Sequence, residues 1–449
     1  MLKVQAALKR VKEGPAELIE PSHIEEVCRE IGHRWRRKGP LQPPVVVLAC
    51  IWQTLCGNAS CRRVRLKLGD VSRQAFAQAR QRLPLQLLRR LNEQLVARCN
   101  GNESGRWHGL RVYAADGTGV SMPDVPELAR EFTYPANQKP GQGFPCAHLL
   151  HLFDFTTGMV RRTHVGPRAT NDLKGLPQVL ANLERDAVLV ADRAFGCFLS
   201  LALCQQHGIH GVFRPQGGVR ISFKKRRHAG KGRGKRPTGK LVRKFSRWDQ
   251  LVTYTRPKKP SPVLDPEQFF QLPETITVRE IHFRCHRKGF RPHEITLMTT
   301  LLDPDQYPAK DIEQLYMRRW QAEVNIRHLK QTLGLDVLKG KSVDVIHKEI
   351  ELHVMAYNLV RLAMLESAAR QHCSPDRVSF RDALEWMLDN QDPACLDNLL
   401  LNKPRPGRVH PRACKRRPKP HSLMTEPRHA FQTRISGQAG TPPPLTTAD

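Results

Sequence analysis

Nowhere in its 449 residues does this chain hold a run of about eighteen apolar residues, the length a helix needs to cross a bilayer. Its first residues, Met1-Leu-Lys-Val-Gln-Ala-Ala-Leu-Lys-Arg, lack the apolar centre of a secretory signal, so a cytoplasmic protein with no membrane partner is expected. The twelve cysteines include no Cys-x2-Cys pair. Cys50, Cys99 and Cys204 fall on apolar helical patterns and read as small buried thiols of a reducing compartment. A Gly-rich phosphate loop ending in Lys-Ser or Lys-Thr is also missing, which leaves an ATP-driven mechanism without support. Acid is the scarce charge: 42 Asp and Glu face 73 Lys and Arg, for a formal charge of +31. Such an excess suits a polyanionic partner, nucleic acid before an anionic membrane surface.

The length implies two to four structural units. Residues 1–105 are expected to be helical and to bind DNA. Val45 to Cys56 is an apolar stretch stopped by Gly57, and Leu88, Leu91, Leu95 and Cys99 recur at helical spacing after Pro84. Between them, Ser72-Arg-Gln-Ala-Phe-Ala-Gln-Ala-Arg-Gln-Arg predicts a helix capped by Ser72. Phe76, Ala79 and Leu83 face inward in that helix, and Arg73, Gln74, Gln78 and Arg80 remain outside. The pattern suits a helix entering a DNA groove, and equally a solvated helix of a small bundle.

From Leu110 the periodicity changes. Strands are expected at Leu110–Ala115, Ala147–Phe155, Met159–His164 and Ala187–Ala191, with helices at Asp172–Leu183 and Cys197–Gln206. Strands interleaved with helices predict a mixed α/β (α+β) sheet covered by helices. Residues 106–213 form its first part and residues 303–400 its second, the latter with helices at Ser342–Arg370 and Ser379–Leu388. Residues 214–302 read as a β-rich insertion with strands at Leu251–Thr255, Ile276–His286 and Ile295–Leu302. Fourteen Lys or Arg and no acid lie between Arg214 and Arg247, including Lys224, Lys225, Arg226 and Arg227. Cations so crowded repel one another without an anion, so the loop is expected to touch phosphates. Residues 401–449 are rich in Pro and Arg, poor in large apolar groups, and expected to be disordered.

Three acids stand out. Asp116 follows a strand in Val112-Tyr-Ala-Ala-Asp-Gly-Thr, and Asp192 follows another in Val188-Leu-Val-Ala-Asp-Arg-Ala-Phe. Strand ends are where open α/β sheets place ligand groups, although an aspartate there also serves simply as a turn or cap. Glu323 lies in Tyr316-x2-Arg319-x3-Glu323-x6-Lys330. On one helix, at about 100° per residue, these four side chains fall within about 60°. The same face carries Arg327, so cations outnumber the acid. A bland alternative is a solvated face in which Arg319 pairs with Glu323 for about 0.2–0.5 kcal/mol. The three carboxylates form a minimal oxygen donor set for two divalent ions, which clamp the attacking and leaving oxygens of a phosphodiester. His282, Cys285, His286 and His293 fit zinc poorly, because strand alternation sends Cys285 and His286 to opposite faces.

These segments resemble the DDE transposases of bacterial insertion sequences, in the group defined by the tyrosine, arginine, glutamate and lysine signature. The flanks Thr300-Leu-Leu-Asp-Pro-Asp-Gln-Tyr-Pro-Ala, Leu315-Tyr-Met-Arg-Arg-Trp-Gln-Ala-Glu and His328-Leu-Lys-Gln-Thr-Leu-Gly share in the likeness, which covers about residues 40–370. The resemblance implies a ribonuclease-H-like core interrupted by the β-rich insertion. It implies metal-dependent cleavage at transposon ends and strand transfer into target DNA, with two Mg²⁺ ions or Mn²⁺ in their place. Asp116, Asp192 and Glu323 would be the metal ligands, and Tyr316, Arg319 and Lys330 would contact DNA near the cleaved phosphate. Terminal inverted repeats and target DNA would be the partners, gripped by a homodimer in a synaptic complex at the bacterial nucleoid. Trp248 is a candidate for stacking on a flipped base, as in some relatives, or a packing residue of the insertion. A catalytically inactive DNA-binding descendant, and a nuclease or resolvase on the same fold, are the alternatives.

Overall fold

The computed structural model describes residues 19–35, 39–69, 71–99, 105–135, 143–168, 172–223, 238–285, 293–389 and 393–402, with 427, 429–430 and 433–434. Lys224, Lys225, Arg226 and Arg227, and nearly all of the chain beyond 402, lie outside the described residues.

The described residues open with five helices: α1 (Pro21–Glu30), α2 (Pro43–Leu55), α3 (Cys61–Leu68), α4 (Arg73–Arg82) and α5 (Leu85–Arg98). Helix α2 is buried along nearly its whole length, as its unbroken apolar sequence requires. Ser60 and Ser72 cap α3 and α4 by accepting the amides of Arg63 and Ala75 at 3.4 and 3.0 Å, satisfying donors that a helix start leaves free. Phe76, Ala79 and Leu83 are buried as their spacing predicts.

Next come β1 (Val112–Ser121), α6 (Pro126–Phe132), β2 (Cys146–Asp154), β3 (Val160–Pro167), α7 (Leu176–Leu180), β4 (Val188–Ala191), α8 (Phe198–Gln206) and β5 (His210–Phe213). The strands β6 (Lys240–Ser246), β7 (Asp249–Thr255), β8 (Thr275–Cys285) and β9 (His293–Thr299) follow, with α9 (Pro266–Phe270) between β7 and β8. All nine strands join one sheet in the order β3-β2-β1-β4-β5-β9-β8-β7-β6. Within its first five, β1, β2 and β3 run antiparallel, and β4 and β5 lie parallel to β1. Strands β6 to β9 therefore continue the same sheet, joined where β9 pairs antiparallel with β5 through Val212↔Thr299 and Phe213↔Met298. Strand β6 lies inside the stretch that the sequence marks only by its cations.

Alternation along β1 divides the core. Ala114 and Val120 pack with the N-terminal helices and the C-terminal helix on one face, and Tyr113 and Ala115 pack with α7 and α8 on the other. By the same alternation Asp116 projects to the face of Ala114. Helices α10 (Ala309–Met317), α11 (Trp320–Arg327), α12 (Val343–Arg370) and α13 (Phe380–Leu388) complete the fold. None of the described helices is long and apolar enough to cross a membrane.

Two expectations need correction. The single helix expected from Tyr316 to Lys330 is two helices and a π turn at His328–Thr332. At the break, the amides of Arg318, Arg319, Gln321 and Ala322 bond carbonyls three residues back, which overwinds the backbone before the π turn underwinds it. The signature side chains thus do not share one uniform face. Arg80, expected outside, turns inward: its Nη1 reaches Cys61 Sγ at 3.7 Å, and its charge acts on Cys50 and Glu349. Arg73 stays exposed.

Candidate active site

Strand register brings the two aspartates side by side. Ala115 on β1 is the partner of Ala191 on the parallel strand β4, and Asp116 and Asp192 are the residues that follow them. Asp116 accepts the Gly117 amide at 3.0 Å. Asp192 ends its strand and accepts the Ala194 amide at 2.7 Å, which caps the short 3₁₀ turn Arg193–Phe195. This capping duty, the bland reading of a strand-end aspartate, coexists with its place in the cluster.

Burial pushes the Asp116 carboxyl up to about 7; the Arg319 guanidinium opposes this, and the charges of Asp192 and Glu323 add to it. Asp192 is likewise raised, first by burial, with Asp172 and Glu323 adding to the effect and the Ala194 amide and Arg319 opposing it. The three acids of the sequence pattern thus occupy one electrostatic neighbourhood, on the face where α11 packs against β1. Within it, Glu323 accepts a hydrogen bond from Arg319 at 2.7 Å. Among the described residues no three His, Cys, Asp or Glu side chains are gathered closely enough to hold a metal ion as they stand. The donor set nevertheless fits a divalent cation. Its oxygens are hard ligands, and half-buried carboxylates that repel one another gain most from a cation, although the Arg319 guanidinium already offsets part of the charge on both aspartates.

The other signature residues divide. Lys330 donates from Nζ to the Gly119 carbonyl at 2.8 Å, which ties the π turn to β1 three residues beyond Asp116. Tyr316 is buried, its hydroxyl sealed from solvent without a well-formed hydrogen bond, and the Arg319 guanidinium lies 5.9 Å from its ring centre. A direct DNA contact by that hydroxyl is not available here; the side chain packs beneath Arg319. Arg327 is exposed.

Trp248 lies between β6 and β7. It is 42% exposed, with ring centres of Phe223 at 5.7 Å and His282 at 4.8 Å and the Arg247 guanidinium at 4.9 Å. These groups line a cleft of about 850 Å³. His282 hydrogen-bonds Thr296 at 3.0 Å, so it serves the hairpin; the side chains of Cys285, His286 and His293 lie outside the described residues.

Sequence reasoning missed a fourth acid. Asp172 accepts from or pairs with His148 Nε2 at 2.6 Å, and its Oδ1 fills the space beside Gly117, where an added Cβ would meet it at 1.9 Å. An acid in a turn after a strand carries no signal that separates it from an ordinary turn residue.

Residues 107–359, more than half the chain, match the family described as the transposase DDE domain. The chain is 24% identical over 376 residues to transposase InsG for insertion sequence element IS4 of Escherichia coli strain K12, covering 78% of this chain and 77% of that protein. Among solved structures it is similar to piggyBac transposase in a synaptic complex with hairpin DNA, with 11% identity, a TM-score of 0.44, and 87% of this chain and 80% of that chain covered. With two strand-end aspartates in register and the family pattern spanning them, the chain belongs to the DDE transposases.

Proposed function

We propose that Asp116, Asp192 and Glu323 are the catalytic carboxylates of a transposase that cuts DNA at terminal inverted repeats and joins the freed 3′-hydroxyl to target DNA. The observation that carries this reading is the register of β1 and β4, which sets two half-buried aspartates next to each other beneath α11. Two Mg²⁺ ions, or Mn²⁺ in their place, would supply Lewis acidity and an activated oxygen nucleophile when bound. Asp116 and Asp192 each have one carboxylate oxygen, Oδ1, fixed by a backbone amide, that of Gly117 and that of Ala194, and would share a cation through these carboxylates. Glu323 joins them by giving up its bond to Arg319, and the released guanidinium is then free for a DNA phosphate. An ammonium carries three donors, so Lys330 can keep the Gly119 carbonyl and still reach a phosphate.

Farther out, Arg327, the exposed end of α4 at Arg73, and Lys224, Lys225, Arg226 and Arg227 supply backbone contacts. Trp248, half-exposed between Phe223 and His282, would stack on an unpaired base. In this reading residues 1–105 hold DNA, residues 106–213 and 303–400 carry the chemistry, and a homodimer at the nucleoid of the cytoplasm brings two ends together.

Asp192→Ala tests the assignment. End nicking should vanish while binding to end-containing DNA stays within about twofold, since one carboxylate contributes little to phosphate affinity. Equal nicking by that variant would refute it.

A further inference from the structure

The Asp172–His148 pair has no part in the three-carboxylate scheme, yet it lies against it. Asp172 opens the 3₁₀ turn Asp172–Gly175, which packs against the Arg193–Phe195 turn that follows Asp192. Its Oδ1 is held at 2.6 Å from His148 Nε2, with side-chain exposures of 19% and 9%. His148 Nδ1 is buried and, among the described residues, has no hydrogen-bond partner, so the ring's one polar engagement is with Asp172. The carboxylate occupies the room that Gly117 leaves by lacking a side chain, on the opposite face of β1 from Asp116. Any other residue at 117 would drive a Cβ into it. Asp172 therefore lies against the backbone next to one aspartate, and the turn it opens packs on the turn next to the other. Its negative charge is felt at Asp192.

A carboxylate in that place has a recognisable use. Divalent ions such as Mg²⁺ retain several waters when bound by few protein ligands, and outer groups that hydrogen-bond those waters and brace the ligands set both affinity and geometry. We propose that Asp172, clamped by His148, is a positioning residue of the catalytic centre, bracing β1 at Gly117 against the turn after Asp192 and so fixing the two carboxylates that would hold a divalent cation. This rests on the carboxylate reading given above.

Calorimetric titration of the full chain with Mn²⁺ alone, free of DNA, tests it without relying on activity. Asp172→Asn keeps the shape and removes the charge; its Mn²⁺ affinity should fall about 10- to 100-fold. The Mn²⁺ concentration for half-maximal end cleavage should rise by the same factor, with the rate at saturating Mn²⁺ largely recovered. His148→Gln should move both quantities in the same direction by less. Mn²⁺ affinity within twofold of the wild type in both variants overturns the proposal, as does a loss of cleavage that no Mn²⁺ concentration relieves while affinity is unchanged. If Asp172→Asn does not fold, His148→Gln decides by the same criterion. Asp116→Asn separates the two levels of argument: undiminished Mn²⁺ binding by that variant sinks the carboxylate reading itself, whereas lost binding there with intact binding in Asp172→Asn sinks only the role of Asp172.

Discussion

Arg279 offers the sharpest test of how the insertion is joined to the rest. Its side chain is fully buried on β8 and grips Asp249 of β7 through two bonds of 2.9 and 2.6 Å. The remaining nitrogen, Nη1, donates to the carbonyls of Tyr307 at 2.7 Å and Asp303 at 3.3 Å, in the segment that leads into α10 and Tyr316. Arg279→Met fills similar volume but strands a buried carboxylate and two carbonyls. Breaking a buried ion pair from one side costs about 3–5 kcal/mol, because the orphaned charge cannot regain its solvation. At about 2 °C per kcal/mol for a large unit, the melting temperature should drop by roughly 6–10 °C. Replacing both partners, Arg279→Met with Asp249→Leu, removes the orphan and should recover much of that loss. Calorimetry or urea unfolding of the two single variants and the double variant gives the coupling directly, and about 2 kcal/mol or more is expected. An Arg279→Met protein melting within 1 °C of the wild type, to the precision of about 0.5 kcal/mol in such cycles, would refute the reasoning.

Three further outcomes are expected. His328 stacks on Phe380 with ring centres 4.4 Å apart, and burial, then the charges of Arg361 and Arg327, push its pKa down to about 4; the unfolded chain therefore binds the extra proton first, and stability present above about 6.5 is lost as pH falls toward 4. Melting curves of wild type and His328→Gln should converge across that window, and parallel curves would count against a neutral buried ring. Gly196→Ala would set a Cβ 1.6 Å from the Arg214 carbonyl oxygen, displacing the turn that Asp192 caps; an end-cleavage rate about 100-fold lower is expected from a shift near 1 Å, and a wild-type rate would contradict it. Lys330→Met should lower the salt dependence of DNA binding by about one unit of slope if the ammonium meets a phosphate, and an unchanged slope would confine Lys330 to its strap on Gly119.

How much could be read from the chain alone depended on the range of the forces involved. Strands β2, β7 and β8 and the helices α12 and α13 were legible because alternation, periodicity and the caps Ser342 and Ser379 are local. The two aspartates were legible because each follows an apolar run. The break after Met317 was not, since no Gly or Pro marks it between Tyr316 and Lys330. Arg80 was misplaced for a similar reason: Glu349 and Cys61, which draw it inward, are distant in sequence. Asp172 was missed because its significance comes from Gly117, fifty-five positions earlier.

The position of β6 at the outer margin of the sheet has a consequence for crowded copies. Among the described residues its outer side pairs with no other strand, the short strand carries Lys240, Arg243 and Lys244, and like charges set close together repel strand-to-strand annealing. Copies concentrated on one stretch of DNA are thereby discouraged from zipping their sheets together, which leaves assembly to other surfaces and keeps this margin open for an anion.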